Sequence, residues 1–244
     1  MIDPRGSVVA RRLSGIARVV GFCSAKGGVG KTTCTAVAGV VLVRQGARVG
    51  ILDLDLQGAS THILLGVEPR MPEEDRGIVP LTVEARLTLM SAAVFAGNRG
   101  LALRGPEVSD ALLEMLAITQ WGTLDYLLID MPPGIGEEVL DLARLIPRIQ
   151  AVVVSTPAAI SVAVVERLLG VLKEMRVSVP GLIANAVRGS AETVRELAMR
   201  AGVPYAGEIP YDDGLEAATG SPESLAGTEV ARAMEESLGR IRFT

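Results

Sequence analysis

Residues 24–33 read Ser24-Ala25-Lys26-Gly27-Gly28-Val29-Gly30-Lys31-Thr32-Thr33, SAKGGVGKTT, and hold two of the three lysines in a chain that carries 21 arginines; the third is Lys173. A lysine ammonium is a compact point charge on a flexible stem, whereas a guanidinium is a broad planar fork. A narrow pocket lined by backbone N–H groups admits the first and not the second. The residue choice alone therefore points to a phosphate site.

The flanking residues supply its context. RVVGFCS (18–24) reads as a strand and a helical pattern opens at Lys31, the strand–loop–helix setting of a P-loop. The glycines let the Gly27-Gly28-Val29-Gly30 backbone turn its N–H groups inward, and the helix adds its positive N-terminal end. In that cradle Lys31 falls on the β- and γ-phosphates and the Thr32 hydroxyl on Mg²⁺, with Thr33 placed for the α-phosphate. The strict pattern has Gly at position 25, where this chain has Ala25 followed by Lys26 and the Gly27-Gly28 pair.

Two further strand ends carry acids. ILDLDLQG places Asp53 and Asp55 at the end of a second strand, and period-two alternation turns both carboxylates to one side and Leu52, Leu54 and Leu56 to the other. Ligands of open parallel sheets bind beyond the carboxyl ends of the strands. Asp53 is accordingly expected in the Mg²⁺ shell and Asp55 beside the attacking water. The competing reading is that both acids cap a helix starting near Gly58. LDYLLIDMPPG ends a third strand at Asp130, a second Mg²⁺ element, and Pro132-Pro133-Gly134 then turns the chain where a loop could sense the γ-phosphate.

Strand patterns fall at 47–53, 124–130, 150–155 and 179–185, with weaker ones at 86–91 and 203–208. Helical patterns fall at 31–45, 107–119, 136–146, 160–175, 190–201 and 227–240. The alternation predicts an α/β fold, a mostly parallel twisted sheet flanked by helices on both faces. With 244 residues, 49% of them hydrophobic and 3% aromatic, one aliphatic core is expected. Residues 1–17 read as a positive tail (Arg5, Arg11, Arg12) and 18–244 as one nucleotide-binding domain. Residues 66–85, rich in proline and charge, read as an exposed excursion, either plain surface or partner-facing.

A net charge of −4 and a pI near 5.2 argue against nucleic acid as a partner. Cys23 and Cys34 are too few for a disulfide framework or a four-thiolate site within one chain, and the lone His62 excludes a histidine-rich metal centre. His62 reads as a solvated helix residue and Trp121 as packing. No secretory signal or membrane span is visible, so a cytoplasmic protein is expected. The C-terminal pattern EVARAMEESLGRIRF is amphipathic, but Glu229, Glu235 and Glu236 suit it poorly to a stable membrane contact.

KGGVGKTT with its extra Lys26 resembles the deviant Walker A box of the MinD/ParA-type ATPases of the SIMIBI class. VGILDLDLQGAS, GIVPLTVEARLTLMSA, LRGPEVSDALLEML and WGTLDYLLIDMPPGIGE are similar to one branch, the Mrp (ApbC) family of iron–sulfur cluster carrier ATPases. The resemblance covers about residues 17–240. It implies an ATP- and Mg²⁺-dependent homodimer or paired heterodimer in which Lys26 reaches the partner's nucleotide and Asp55 positions the hydrolytic water. It also implies that Asn185 hydrogen-bonds the adenine and that EIPYDD, with Pro210 and Asp212, packs around the base. A plain turn residue is the other reading of Asn185.

One departure stands out. Cluster-carrying members have a Cys-x-x-Cys pair shortly after that Asn, and here the stretch reads NAVRGSAETV. The fold and nucleotide chemistry carry over, while this chain alone is expected to bind no cluster. The expected role is then an ATPase accessory to iron–sulfur cluster assembly or transfer, either as an adaptor or as the cysteine-lacking partner of a cysteine-bearing paralogue. The alternatives are a MinD/ParA-like positioning or partition ATPase and a nucleotide-dependent regulatory scaffold.

Overall fold

The computed structural model describes residues 5–96, 103 and 105–244. Its elements run α1 (Arg5–Leu13), β1 (Ile16–Cys23), α2 (Lys31–Arg44), β2 (Val49–Asp53), α3 (Thr61–Leu64), β3 (Leu81–Glu84), β4 (Leu87–Ser91), α4 (Ala93–Ala96) and α5 (Pro106–Ile118). They continue with β5 (Leu124–Asp130), α6 (Glu137–Leu145), β6 (Gln150–Ser155), α7 (Ala159–Glu174), β7 (Ser178–Val187) and α8 (Glu192–Ala201). The chain closes with β8 (Tyr205–Pro210), α9 (Leu215–Ala218), α10 (Pro222–Ala226) and α11 (Glu229–Arg240).

The strands form one sheet in the order β3-β4-β2-β5-β1-β6-β7-β8. Only the edge pair β3–β4 is antiparallel; the other neighbours are parallel, as strand–helix crossovers require. Alternation along the strands divides the core in two. Val19 and Cys23 of β1 join one apolar cluster with α5, α6, α7 and α8, while Val20 and Phe22 join the other with α2 and α11. Helix α2 is buried almost all round, between the sheet and the α10–α11 layer. It lies so close to β2 that a methyl group on Gly39 would stand 2.7 Å from Ile51 Cδ1.

The expected strands and long helices are present, with ends shifted by a few residues at most. Two features depart from expectation. Residues 5–13, read as a tail, form α1. Its Val9 and Leu13 enter the core, Arg5 pairs with Asp110 at 2.7 Å, and Arg12 Nε donates to Ala117 O at 3.1 Å. The 66–85 excursion ends in β3, with Ile78 and Leu81 buried, and only part of it is exposed. The apolar stripe of α11 (Val230, Met234, Leu238) is buried against α2 and β8. No described helix is long and apolar enough to cross a membrane.

Candidate functional site

The site lies beyond the carboxyl ends of the central strands β1, β2 and β5. Between β1 and α2, Gly28 and Gly30 take φ values of 77° and 82°, which a side chain would strain. Gly30 is the N-cap of α2, so the first N–H groups of that helix lack intrahelical acceptors and carry its positive dipole end. Behind the loop is a cleft of about 380 Å³ lined by Gly28, Val29, Gly30, Thr33, Asn185 and Pro210, among others. Gly27 and Lys26 are exposed at the loop tip, and the Ser24 hydroxyl donates to Lys26 O at 3.1 Å.

Lys31 is buried, its Nζ 2.5 Å from Asp130 Oδ1. Thr32 Oγ1 donates to Asp130 Oδ2 at 2.7 Å. Thr35 Oγ1 lies 3.1 Å from the same Oδ1 and 3.0 Å from Lys31 O, one hydrogen serving either acceptor. Asp130 thus gathers the P-loop lysine and hydroxyls on a single carboxylate. Sequence reading missed Thr35, although its i+4 spacing from Lys31 puts both on one face of α2.

Asp53 is register partner of Asp130 across β2–β5 and is fully buried. Its carboxylate accepts from Asp55 N and Thr61 N, each at 3.1 Å, and from Ser91 Oγ at 3.3 Å. Burial, reinforced by the Asp130 charge, pushes its pKa up to about 6. Asp55 departs from the expected alternation. Strand β2 stops at Asp53, and the half-buried Asp55 accepts from Gly58 N at 2.9 Å through Oδ1. Leu54 and Leu56 are buried as expected. Both acids therefore also tie the loop that leads into α3; the helix starts at Thr61 and not near Gly58, so Asp53 meets its first N–H while Asp55 bonds within the loop. Gly134 N donates to Ser24 O at 2.9 Å, joining the turn after β5 to the phosphate loop.

The residues suit a hard divalent cation. Thr32, Asp53 and Asp130 offer oxygen donors in one cluster, and a cation there would relieve the two adjacent buried carboxylates. Among the described residues no group of three His, Cys, Asp or Glu side chains stands close enough to hold a metal. A hydroxyl and two carboxylates are a donor set that suits Mg²⁺, which keeps waters and substrate phosphates among its ligands.

Asn185 is buried at the end of β7, and its Nδ2 donates to Val29 O at 2.8 Å. The β7–β8 register shifts between Ala184 and Val187, and Ala186 takes φ 53° there. Gly30 makes room for this contact, since a Cβ on it would lie 2.2 Å from Asn185 Nδ2. Asn185 is thus more than a turn residue. Asp212 lines the same cleft and accepts from Gly214 N at 2.8 Å. The cysteines lie in opposite core clusters, and burial pushes both thiols up to about 12. His62 is half-buried, not solvated, with Nδ1 unpaired among the described residues.

Fold and site together define a P-loop nucleotide-binding protein of the MinD/ParA-like class. A ParA family model described as NUBPL iron-transfer P-loop NTPase matches residues 15–242. The chain belongs to that family. It is 36% identical over 176 residues to an iron–sulfur cluster carrier protein of Pseudomonas fragi, covering 71% of this chain and 61% of the relative. It is 33% identical over 241 residues to the chloroplastic Fe–S cluster assembly factor HCF101 of Arabidopsis thaliana, covering 92% and 45%. The chain thus spans between about half and two thirds of the length of these relatives. Among solved structures, a nucleotide-binding protein of Archaeoglobus fulgidus in complex with ADP superposes with a TM-score of 0.78 at 28% identity, covering 98% of both chains. The MinD cell division protein of Aquifex aeolicus shares the fold, with a TM-score of 0.68 at 24% identity over 92% of this chain and 96% of MinD.

Proposed function

We propose that the chain is a Mg²⁺-dependent ATPase that dimerises around its nucleotide and serves iron–sulfur cluster assembly or transfer as an accessory. The observation that carries this reading is the convergence of Lys31, Thr32 and Thr35 on Asp130, beside Asp53 and beneath the open N-terminus of α2. A triphosphate in the cradle draws Lys31 from Asp130 to its β- and γ-oxygens, where the ammonium offsets charge that builds during transfer. Thr32 and the Asp53–Asp130 side would hold Mg²⁺, which when bound would supply Lewis-acid neutralisation of the phosphates. Asp55 orients the water. Exposed Lys26 is free to reach a partner's nucleotide across a dimer.

The hydrogen-bond inventory of Asn185 supports adenine. One amide hydrogen is held by Val29 O. That contact fixes which end of the amide is which and leaves one N–H and the Oδ1 for the base, the pair that suits adenine N7 and N6–H₂. The family relation supports the cluster role, and the stretch NAVRGSAETV, which carries no Cys-x-x-Cys, supports thiolates supplied by a paralogous partner.

ATPase rate against protein concentration tests the proposal. Specific activity should rise with concentration and saturate, and Lys26→Ala should abolish that rise while ATP still binds. A rate linear in protein from nanomolar to micromolar, with Lys26→Ala indistinguishable from the parent, contradicts it. Anaerobic reconstitution should leave this chain cluster-free when alone; a stable cluster on the lone chain removes the accessory role.

A further inference from the structure

We infer that Thr35 is a positioning residue that takes over Asp130 when a bound triphosphate draws Lys31 away, a deepening that rests on the proposed nucleotide function. The Asp130 carboxylate is fully buried, beside the equally buried Asp53. Among the described residues its side chain has three donors. Lys31 Nζ at 2.5 Å and Thr35 Oγ1 at 3.1 Å meet Oδ1, and Thr32 Oγ1 at 2.7 Å meets Oδ2. Two of the three are needed elsewhere in the proposed function, Lys31 on the phosphates and Thr32 on Mg²⁺. Thr35 is the one that stays. It is fully buried and does not line the cleft behind the phosphate loop, so its hydroxyl acts on a ligand only through another residue. From Cys34 to Leu42 every residue of α2 is buried, and Thr35 alone among them carries a hydroxyl.

The geometry leaves one hydrogen between two acceptors. Thr35 Oγ1 lies 3.0 Å from Lys31 O, the i−4 carbonyl of its own helix, and 3.1 Å from Asp130 Oδ1. While the ammonium sits on Oδ1, a full charge serves that oxygen and the hydroxyl hydrogen can rest on Lys31 O. Once the ammonium leaves for a phosphate, Oδ1 is a buried anionic oxygen beside a second carboxylate, and leaving it without a donor is costly. A turn about the Cβ–Oγ1 bond brings the hydrogen to Oδ1 and displaces no heavy atom. Lys31 O loses little, because the helix ladder also supplies it with a backbone N–H. Thr35 therefore lowers the cost of releasing the lysine and keeps Oδ2 of Asp130 turned toward Thr32. Valine has the same shape and can do neither.

Titration calorimetry of ATP in EDTA on the whole chain tests this hand-over, because lysine release is then read apart from any metal contact. Thr35→Val should weaken ATP about tenfold, the loss of one hydrogen bond to a charged group, and Thr35→Ser should restore it. Asp130→Asn should bind ATP at least as tightly as the parent, since no buried charge holds Lys31 back. In that background Thr35→Val should change affinity by less than about twofold. Where Thr35→Val does not melt cooperatively, Thr35→Ala set against Thr35→Ser carries the same comparison. Equal ATP affinity of Thr35→Val and parent overturns the hand-over. So does a loss that serine does not restore, or one of the same size in the Asp130→Asn background, either of which marks Thr35 as a packing residue. A parent that binds ATP only with Mg²⁺ shows that the metal and not Thr35 releases the lysine, and overturns the hand-over alone. A parent that binds ATP in neither condition overturns the underlying nucleotide reading as well.

Discussion

Asp53 shows how one residue couples burial to function. Its folded pKa of about 6 exceeds the ordinary carboxylate value because the buried group faces Asp130. The fold therefore binds a proton that the unfolded chain has released, and this contribution is greatest below about pH 4 and lost as pH rises through about 6. In EDTA without nucleotide, denaturant midpoints should fall between pH 4 and 7, and Asp53→Asn should flatten that slope. A slope of the same size in Asp53→Asn would contradict it. The cysteines give a second check. Thiols pushed to about 12 and buried in separate clusters should resist iodoacetamide in the native protein up to pH 9 and react on unfolding. Fast native alkylation would show that one of them is accessible after all.

Elements were legible in the sequence in proportion to their length and periodicity. The long helices and the central strands carry patterns that their burial enforces, and so does the phosphate loop, whose glycines and lysines have few other uses. The four- and five-residue helices α3, α4, α9 and α10 are too short for a helical period to show. Strand β3 hides beside prolines and charges, and it is an edge strand with a single neighbour. Helix α1 is hidden by its arginines, of which Arg5 and Arg12 meet partners that only tertiary structure supplies. Asp55 escaped the alternation rule because β2 ends two residues earlier. Because α1 buries Val9 and Leu13 against α5, it is expected to be part of the fold and not an appendage. Leu13→Ala should cost about 2–3 kcal/mol by chemical denaturation; a change below about 0.5 kcal/mol would return residues 5–13 to the status of a tail.

At the scale of the molecule, the parallel sheet brings loops from the ends of β1, β2, β5, β7 and β8 to one edge. Phosphate, metal and base chemistry can then be supplied by residues far apart in sequence. The family relation and the ADP-bound neighbour place a nucleotide in this class of fold, and the central claim for this chain is narrower. We propose that the buried space beside Asp130 admits the slim Lys31 ammonium and no broader cation. Calorimetry of Mg²⁺-ATP binding to the parent and to Lys31→Arg tests it most directly, because the substitution keeps a positive charge beside buried Asp130. Measurable binding by the parent is expected, with at least a tenfold loss in a Lys31→Arg variant that melts cooperatively. Equal affinity in the two proteins, or no heat with the parent, would contradict it.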